Sequence, residues 1–304
     1  MSAGYVVGVD LGGTKIHAGI SGPDGALLAE TRVPTHGDLA GRILEVEHAL
    51  VREVGVPLSA VEVTAVGGAG AAEDDGFDLH PNLDLPTGAS FGPDLARHLG
   101  HPVVLENDVN VAALGELHHG VGTRHDSFVV VASGTGIGMG VVVDRRLVRG
   151  ARGAAGEIGF LPLGTDPFDP AHHRRGPLEE AVAGDVLAGR VPPRAGDGRS
   201  WTATEIFDAA ARDRAAAHAV AEHAHWLALA LVAVRAVLDP EVVVLTGGIG
   251  SRPELLPPLR RTLGELGAAD LAVQASTLGP QAPVLGAIHL ARAHAPGPAL
   301  EGTR

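Results

Sequence analysis

Short apolar runs separated by turn residues form the beginning of the chain. Residues 5–30, "YVVGVDLGGTKIHAGISGPDGALLAE", alternate β-branched runs with glycine and Pro-Asp-Gly turns at spacings too short for helices. Residues 126–150, "DSFVVVASGTGIGMGVVVDRRLVRG", repeat this plan. The pattern predicts two β-meanders, and the weak internal repeat predicts two similar halves that face a shared cleft.

Other segments have the periodicity of helices. A strand is predicted at "EVVVLTGG", and the apolar spacing predicts helices over 38–55, 109–120, about 203–238, 252–267 and about 283–295. Strands that alternate with helices predict a mainly α/β architecture with crossover connections. We expect a smaller N-terminal α/β domain at 1–107, joined by the C-terminal helix near 284–298, and a larger α/β domain at 108–283.

Composition narrows the possible partners. The 304 residues are 45% hydrophobic and 19% charged, which is enough apolar surface for a sizeable core. The net charge of -13 disfavours nucleic acid and anionic membranes as partners and leaves small molecules. The sequence starts without a signal-peptide pattern, and its longest apolar run, residues 226–234, is too short to cross a bilayer. We therefore expect a soluble cytoplasmic protein.

Three glycine-rich turns are candidates for phosphate binding, because glycine lets backbone N–H groups approach an anion. The residues are Gly12, Gly13, Thr14 and Lys15 in the first turn, Ser133, Gly134, Thr135 and Gly136 in the second, and Gly247 and Gly248 in the third. Asp10, which precedes the first turn, could hold Mg²⁺ directly or through water. Each turn taken alone could equally be a tight hairpin or a strand-to-helix connection.

Other nucleotide and hydrolase motifs fit poorly. A P-loop sequence is absent, and "GTGIGMG" lacks the Rossmann spacing and precedes a strand. "GASFG" at 88–92 matches G-x-S-x-G, but no strand leads into it, so we interpret Ser90 as a loop or cap residue. His218, His223 and His225 do not share one helix face, and we interpret them as polar helix residues.

The catalytic candidate lies in "HPVVLENDVNVAALGE", where an apolar strand runs into polar residues and then a helix. Side chains at such a strand end project towards the place where ligands bind in open α/β sheets. Asn107 can donate to and accept from sugar hydroxyls, and Asp108 can accept the proton of a hydroxyl that is being phosphorylated. The alternative is that Asp108 only caps the helix.

Six motifs resemble, in order and approximate spacing, those of the ROK family of bacterial sugar kinases. They are "VDLGGTK", "PNL", "ENDVNVAALGE", "GTGIG", "RGARGAAGEIG" and "LTGGIG", which together span nearly the whole chain. The resemblance implies an actin-like ATPase, RNase H-type fold of two α/β domains around a central cleft that closes on ATP and sugar, commonly as a homodimer. It also implies that Asp108 is the base, that the glycine turns hold ATP, and that sugar hydroxyls contact Asn82, Asn107, Glu157 and Glu179.

The chain departs from the family pattern at the segment around Glu157. Its flanking glycines are expected to allow a sugar to approach closely, but the family's His after "GEIG" is replaced by Phe160. Where the family has a zinc-binding cysteine cluster, this chain has "DPAHHRRGPLEE" and no cysteine. Of the positions that match the family's zinc ligands, only His172 has a side chain that can bind zinc. Four ligands are the rule for structural zinc, so we expect no zinc. By this resemblance, Phe160 lacks the ring nitrogen that in the family reaches the sugar near its anomeric end.

The expected function is ATP- and Mg²⁺-dependent phosphorylation of the primary hydroxyl of a hexose or hexose analogue, as by a glucokinase. The acceptor remains open between glucose, an amino-deoxyhexose of the kanosamine type and a C7 cyclitol, and polyphosphate as donor is also open. A repressor would need a DNA-binding segment ahead of Asp10. A non-catalytic sugar sensor would keep Glu157 and Glu179 but would not need Asp108 or Lys15.

Overall fold

Two five-stranded mixed sheets with the same strand order form the framework of the computed structural model, which describes residues 4–72, 77–78, 91–194 and 198–296. Each sheet belongs to one of two compact units. Unit 1 comprises Met1–His119, Arg149–Ala154 and Pro280–Arg304, and unit 2 comprises Gly120–Val148 and Ala155–Gly279. This division assigns residues 108–119 to unit 1, whereas the sequence placed the boundary after residue 107.

Unit 1 begins with the predicted meander. Its strands are β1 (Tyr5–Leu11), β2 (Lys15–Ser21), β3 (Leu27–Pro34), β4 (Val61–Gly68), the short β5 (Ala71–Ala72) and β6 (Phe77–Asp78), and β7 (Val103–Asn107). The main sheet has the order β3-β2-β1-β4-β7, with β1, β2 and β3 antiparallel and β4 and β7 parallel to β1. Its helices are α1 (Leu39–Val54), α2 (Phe91–Leu99), α3 (Asp108–His119) and, late in the chain, α10 (Ala282–His294).

Unit 2 repeats this order. Its strands are β8 (Phe128–Ser133), β9 (Ile137–Val143), β10 (Arg146–Leu147), β11 (Val242–Thr246) and β12 (Val273–Ala275), and the sheet has the order β10-β9-β8-β11-β12. Its helices are α4 (Glu179–Val182), α5 (Gly184–Gly189), α6 (Ala203–Ala209), α7 (Arg214–Leu238), α8 (Gly247–Gly250) and α9 (Leu256–Glu265). The predicted internal repeat and the actin-like, RNase H-type α/β fold are confirmed.

The helix predicted over about 203–238 is instead two helices. Thr202 caps α6 in a reciprocal capping box with Glu205, and the Asp213 side chain accepts hydrogen bonds from the backbone N–H groups of Ala215 and Ala216 at the start of α7. An N-cap residue has non-helical backbone angles, so Asp213 ends any continuous helix at this point. The sequence is rich in alanine on both sides of Asp213, so apolar periodicity alone does not indicate that one helix ends and another begins there.

Helix α7 has 25 residues, and by length and composition alone it is apolar enough to span a membrane. The longest uninterrupted apolar run, residues 226–234, does not show this because it covers only part of the helix. Its apolar side, however, lies in the hydrophobic core of unit 2 with β8, β9 and β11. Ten of its residues are buried, among them Leu227 and Leu231. We therefore interpret α7 as a core helix.

Backbone-to-backbone packing of α10 organises unit 1. A Cβ atom at Gly286 of α10 would overlap the carbonyl oxygen of Val111 in α3, and one at Gly115 of α3 would overlap the carbonyl oxygen of Ala282. On the sheet side, a Cβ atom at Gly8 of β1 would lie 2.5 Å from the backbone nitrogen of Ile288. Glycines at these contacts let α10 approach both α3 and β1 closely.

We predict that Gly286→Ala destabilises unit 1 by about 2–4 kcal/mol, because the added methyl group must push apart two backbones that cannot yield by changing a rotamer. Urea unfolding measures the change. Gly264→Ala is the matched control, because Gly264 lies in helix α9 with open space around its Cα, and this change should stabilise the protein by up to about 1 kcal/mol. Equal effects of the two substitutions would contradict the packing argument.

Candidate active site

Two carboxylates lie at one edge of the unit 1 sheet. Asp10 is near the end of β1, Asp108 follows β7 directly, and the strand between them, β4, ends in Gly67 and Gly68. The three strands run parallel, so their carboxyl ends meet at this edge. Gly67 has no side chain because Val111 of α3 packs against it: a Cβ atom there would overlap the Val111 side chain.

Burial and mutual repulsion perturb both carboxyl groups. Burial raises the pKa of Asp10 to about 7, with a further increase from the Asp108 charge and a smaller opposing effect of Lys15. Burial also raises the pKa of Asp108. Partly buried like charges favour the binding of a cation or the uptake of a proton. The oxygen donors of this pair therefore suit Mg²⁺, with Asp10 as its ligand.

Asn107, and not Asp108, caps helix α3. The side-chain oxygen of Asn107 accepts hydrogen bonds from the backbone N–H groups of Val109 at 2.8 Å and Asn110 at 3.0 Å, and its amide nitrogen donates to the Gly70 carbonyl at 3.0 Å. Asp108 accepts a hydrogen bond from the Val109 N–H at 2.9 Å. The cap therefore occupies most of the Asn107 amide and leaves the Asp108 carboxylate largely available.

The buried residue Glu106 supports this turn. Its carboxylate accepts hydrogen bonds from the backbone N–H of Asn107 at 2.9 Å and from the Asn110 side chain at 3.0 Å, and it pairs with Arg149 at 2.8 Å. These contacts fix the backbone on both sides of Asp108. Glu106 was not among the residues predicted to have a role, although a charged residue at the end of an apolar strand is itself a signal.

The first glycine turn is a β-hairpin. The Gly12 N–H donates to the Lys15 carbonyl at 3.0 Å, and Thr35 Oγ1 donates to the Gly12 carbonyl at 2.7 Å. In this conformation the Gly12 N–H is not available to a phosphate. Gly13, Thr14 and the Lys15 side chain are exposed at the tip, where they can meet an anion.

The two glycine turns of unit 2 lie against each other. A Cβ atom at Gly247 would lie 2.5 Å from the Ser133 carbonyl oxygen, and one at Gly134 would lie 3.5 Å from the Gly248 nitrogen. Gly247 also has φ of 86°, in the left-handed region that favours glycine. Two predicted phosphate turns, more than 100 residues apart in sequence, are thus brought together.

His223 supports the second turn from within the core. Its Nε2 lies 3.3 Å from Ser133 Oγ in a buried hydrogen bond, and burial lowers its pKa to about 3, so the ring is neutral. Its interpretation as an ordinary polar helix residue was wrong. His223 is four residues from the buried Ala219 and four from the buried Leu227, which places it on the inner face of α7. Comparing the histidines only with one another does not reveal this position.

The glycines around Glu157 serve backbone packing. A Cβ atom at Gly156 would overlap the Met139 carbonyl of β9, and the Gly156 carbonyl accepts a hydrogen bond from the Met139 N–H at 3.0 Å. Gly159 is buried against residues of the loop before α4. Backbone packing therefore accounts for glycine at 156, and the approach of a sugar to this segment stays a prediction. Glu157 is half-buried, and Phe160 is 41% exposed.

Glu179 lies beside the second glycine turn. One carboxylate oxygen, Oε2, accepts a hydrogen bond from the Ile137 N–H at 3.0 Å, and the other, Oε1, lies 3.4 Å from Arg175 Nε. A Cβ atom at Gly136 would overlap Oε2. Glycine at 136 therefore admits the Glu179 carboxylate, a role different from the phosphate approach that the sequence suggested.

The loop that replaces the cysteine cluster does not suit structural zinc. The described residues contain no group of three or more His, Asp or Glu side chains placed to hold a metal. Ring nitrogens of His172 and His173 are already hydrogen-bonded to the carbonyls of Asp166 at 2.9 Å and Pro167 at 3.1 Å. Thus the donors needed for four-coordinate zinc are not assembled here. Asn82 and Ser90 lie outside the described residues.

We predict that Asp10→Asn stabilises the protein in Mg²⁺-free buffer, by an amount that grows with pH. The folded-state pKa of about 7 exceeds the unfolded value of 3.8, so the native chain holds a proton that the unfolded chain has lost, and its stability falls as the pH rises between these values. At about 1.4 kcal/mol per pH unit, these two pKa values give a gain of about 1–2 kcal/mol at pH 5 that grows to about 4 kcal/mol at pH 8. Urea unfolding with chelator measures it.

Asp270→Asn is the control of opposite sign. A hydrogen bond from Arg235 lowers the pKa of Asp270, so its charged form stabilises the native state above the unfolded pKa. This substitution should decrease stability at pH 8. A pH-independent effect of Asp10→Asn would contradict the electrostatic argument.

Comparison with known proteins agrees with this arrangement. A glucokinase from Streptomyces coelicolor is 30% identical over 95% of this chain and 98% of its own, and a β-glucoside kinase from Klebsiella pneumoniae is 31% identical over 93% and 95%. The crystal structure of a ROK family glucokinase from Streptomyces griseus, in complex with glucose and AMPPNP, is 27% identical, with a TM-score of 0.79 over 95% of this chain and all of its own. The ROK family model matches residues 6–294, and the chain therefore belongs to the ROK family.

Proposed function

We propose that this protein is an ATP-dependent sugar kinase that transfers the γ-phosphoryl group to the primary, C6-type hydroxyl of a hexose or hexose analogue. The observation that carries the proposal is the Asp108 carboxylate. It lies at the carboxyl edge of the sheet with a raised pKa, and Asn107 performs the capping that would otherwise explain it. A general base works best when its pKa is close to the working pH.

In this proposal Asp108 accepts the proton of the acceptor hydroxyl as the hydroxyl oxygen bonds to the γ-phosphorus and the bond to ADP breaks. Asn107 keeps one amide N–H for a neighbouring hydroxyl after its three main-chain bonds are counted. Asp10 would hold Mg²⁺. When bound, the ion neutralises charge on the phosphate oxygens.

Unit 2 would supply sugar and nucleotide contacts. Glu157 and Glu179 would accept hydrogen bonds from sugar hydroxyls, as carboxylates commonly do in sugar sites. The adjoining turns at Ser133–Gly136 and Gly247–Gly248 would hold ATP. The solved Streptomyces griseus relative carries glucose and AMPPNP, which supports both assignments. A homodimer in the cytoplasm remains our proposal from the family resemblance.

A non-catalytic sugar sensor is the competing class of function, because the family also contains transcriptional repressors. A sensor needs hydroxyl-binding carboxylates but gains nothing from a base with a raised pKa next to a cation site. The Asp10 and Asp108 pair therefore favours an enzyme. Sugar-dependent release of ADP distinguishes the two.

We predict that Asp108→Asn lowers turnover by about 100-fold or more, because the amide keeps the size of the side chain but cannot accept the proton. The melting temperature should stay the same or rise, since a partly buried charge is removed. Asp144→Asn is the control, at a turn residue whose φ of 49° suits Asn. Near-normal turnover of Asp108→Asn would remove this residue from the mechanism.

Phe160 is proposed to set the acceptor preference. The family resemblance places a histidine here that reaches the sugar near its anomeric end, and an aromatic hydrocarbon ring cannot replace that hydrogen bond. Such a loss typically costs about 0.5–1.5 kcal/mol. Groups at the reacting end of the sugar are retained, so recognition should change around C1 to C3 while C6 remains the phosphorylated position.

We predict that glucose is a weaker substrate than at least one analogue modified at C1 to C3, and that Phe160→His improves kcat/KM for glucose by about 2- to 13-fold, the inverse of that loss. The panel is glucose, kanosamine, glucosamine, N-acetylglucosamine, mannose and a C7 cyclitol, with the product position assigned by NMR. Phe168→His is the matched control, because Phe168 is 87% exposed in the following loop. Phosphate on a ring hydroxyl, or no response to Phe160→His, would contradict this assignment.

A further inference from the structure

Arg175 is surrounded by three carboxylates from the two helices that follow it. Its guanidinium forms a two-point hydrogen bond with Asp185, with Nη1–Oδ2 3.0 Å and Nη2–Oδ1 2.9 Å. Nη1 also lies 3.7 Å from Glu180 Oε2, and Nε lies 3.4 Å from Glu179 Oε1. The hydrogen bond from Arg175 lowers the pKa of Asp185. The Arg175 guanidinium thus contacts residues of both α4 and α5, in the region where the family has its zinc cluster.

The backbone around Arg175 is held at the same time. The Gly176 N–H donates to the His172 carbonyl at 2.9 Å, and the Leu178 N–H donates to the Gly159 carbonyl at 3.0 Å. Gly176 has φ of 91°, and a Cβ atom there would overlap the Gly159 carbonyl. The loop that carries Arg175 is therefore docked onto the segment that carries Glu157 and Phe160.

Glu179 is consequently fixed on two sides. Its Oε2 is bound to the backbone at Ile137, and its Oε1 faces Arg175. We infer that Arg175 is a positioning residue for sugar binding, which orients the Glu179 carboxylate in place of the zinc-bound loop of the family. The inference rests on the proposed function, because it assigns Glu179 to the acceptor.

Simple stabilisation of the fold explains this arrangement less well. Asp185 is the strongest partner of Arg175, yet its side chain is 67% exposed, whereas the Glu179 side chain is only 12% exposed. Ion pairs with an exposed partner contribute little to stability. The larger effect of removing Arg175 should therefore be on the orientation of Glu179, and so on the KM for the sugar.

Steady-state kinetics of four variants test the inference. Arg175→Met should raise the KM for the best sugar about tenfold or more, while the KM for ATP and kcat change less than about threefold. Arg175→Lys keeps the charge but not the forked geometry, so it should recover part of the loss. Asp185→Asn should fall between Arg175→Lys and the parent. Arg174→Met is the matched control at the exposed neighbouring position and should leave both KM values unchanged.

Equal increases in both KM values with a lower melting temperature, and no recovery in Arg175→Lys, would show that Arg175 only supports the fold and would overturn the inference. So would an unchanged sugar KM in Arg175→Met.

A second measurement does not depend on activity. In a ¹⁵N-labelled sample the Arg175 Nε–H resonance, assigned by its loss in Arg175→Lys, should be sharp and should shift in Glu179→Gln but not in Arg174→Met. No response to Glu179→Gln would overturn the pairing. Failure of the parent protein to release ADP with any sugar would count against the proposed function, while this spectrum would still decide the role of Arg175.

Discussion

The close approach of α10 to β1 and α3 is the contact on which the geometry of unit 1 depends. Strand β1 carries Asp10, and α3 begins with Asp108, so the helix that touches both holds the two carboxylates in register. Glycine inside a helix costs about 1 kcal/mol relative to alanine. The chain tolerates this at Gly115 and Gly286 because backbone atoms of the two helices then meet directly.

The paired carboxylates show that the site works against the stability of the fold. A sheet edge with two partly buried like charges is unfavourable until a cation or proton arrives. Neighbouring residues limit this cost through backbone contacts: Asn107 completes the turn at the start of α3, and Glu106 with Arg149 holds it from behind. The position of Asp108 therefore depends on neighbouring side chains that bind the backbone of its turn.

Most of the fold could be predicted from the sequence because local signals agreed with it. The meanders, the strand before Asp108 and the final helix follow from apolar periodicity and from turn residues. The final helix formed within one residue of its predicted bounds, and the meanders formed within about four. Features that depend on long-range contacts could not be predicted. The hydrogen bond between His223 and Ser133 joins residues that are 90 positions apart in sequence, so no short motif records it.

The same limit applies to the glycines. A glycine-rich turn indicates that another group approaches its backbone closely, but the sequence does not show whether that group belongs to the protein or to a ligand. At Gly156 the neighbour is the Met139 carbonyl, and at Gly136 it is the Glu179 carboxylate. At Gly12 it is the Lys15 carbonyl across a hairpin. In each case the contact that requires glycine is with another part of the protein, and ligand binding by these turns stays a prediction.

The position of α10 in the chain has a consequence for biosynthesis. Helix α10 packs against β1, β4 and α3, whose residues are made at least 160 positions earlier, and it buries Val6, Ala65 and Val111. During synthesis on the ribosome, the sides of β1, β4 and α3 that contact α10 stay exposed to solvent until residue 294 has left the exit tunnel. Every strand of the second sheet has emerged before that point. Unit 2 can therefore complete its core before unit 1 does. Until then, the apolar side of the first sheet that α10 later covers is the surface that a chaperone would have to shield.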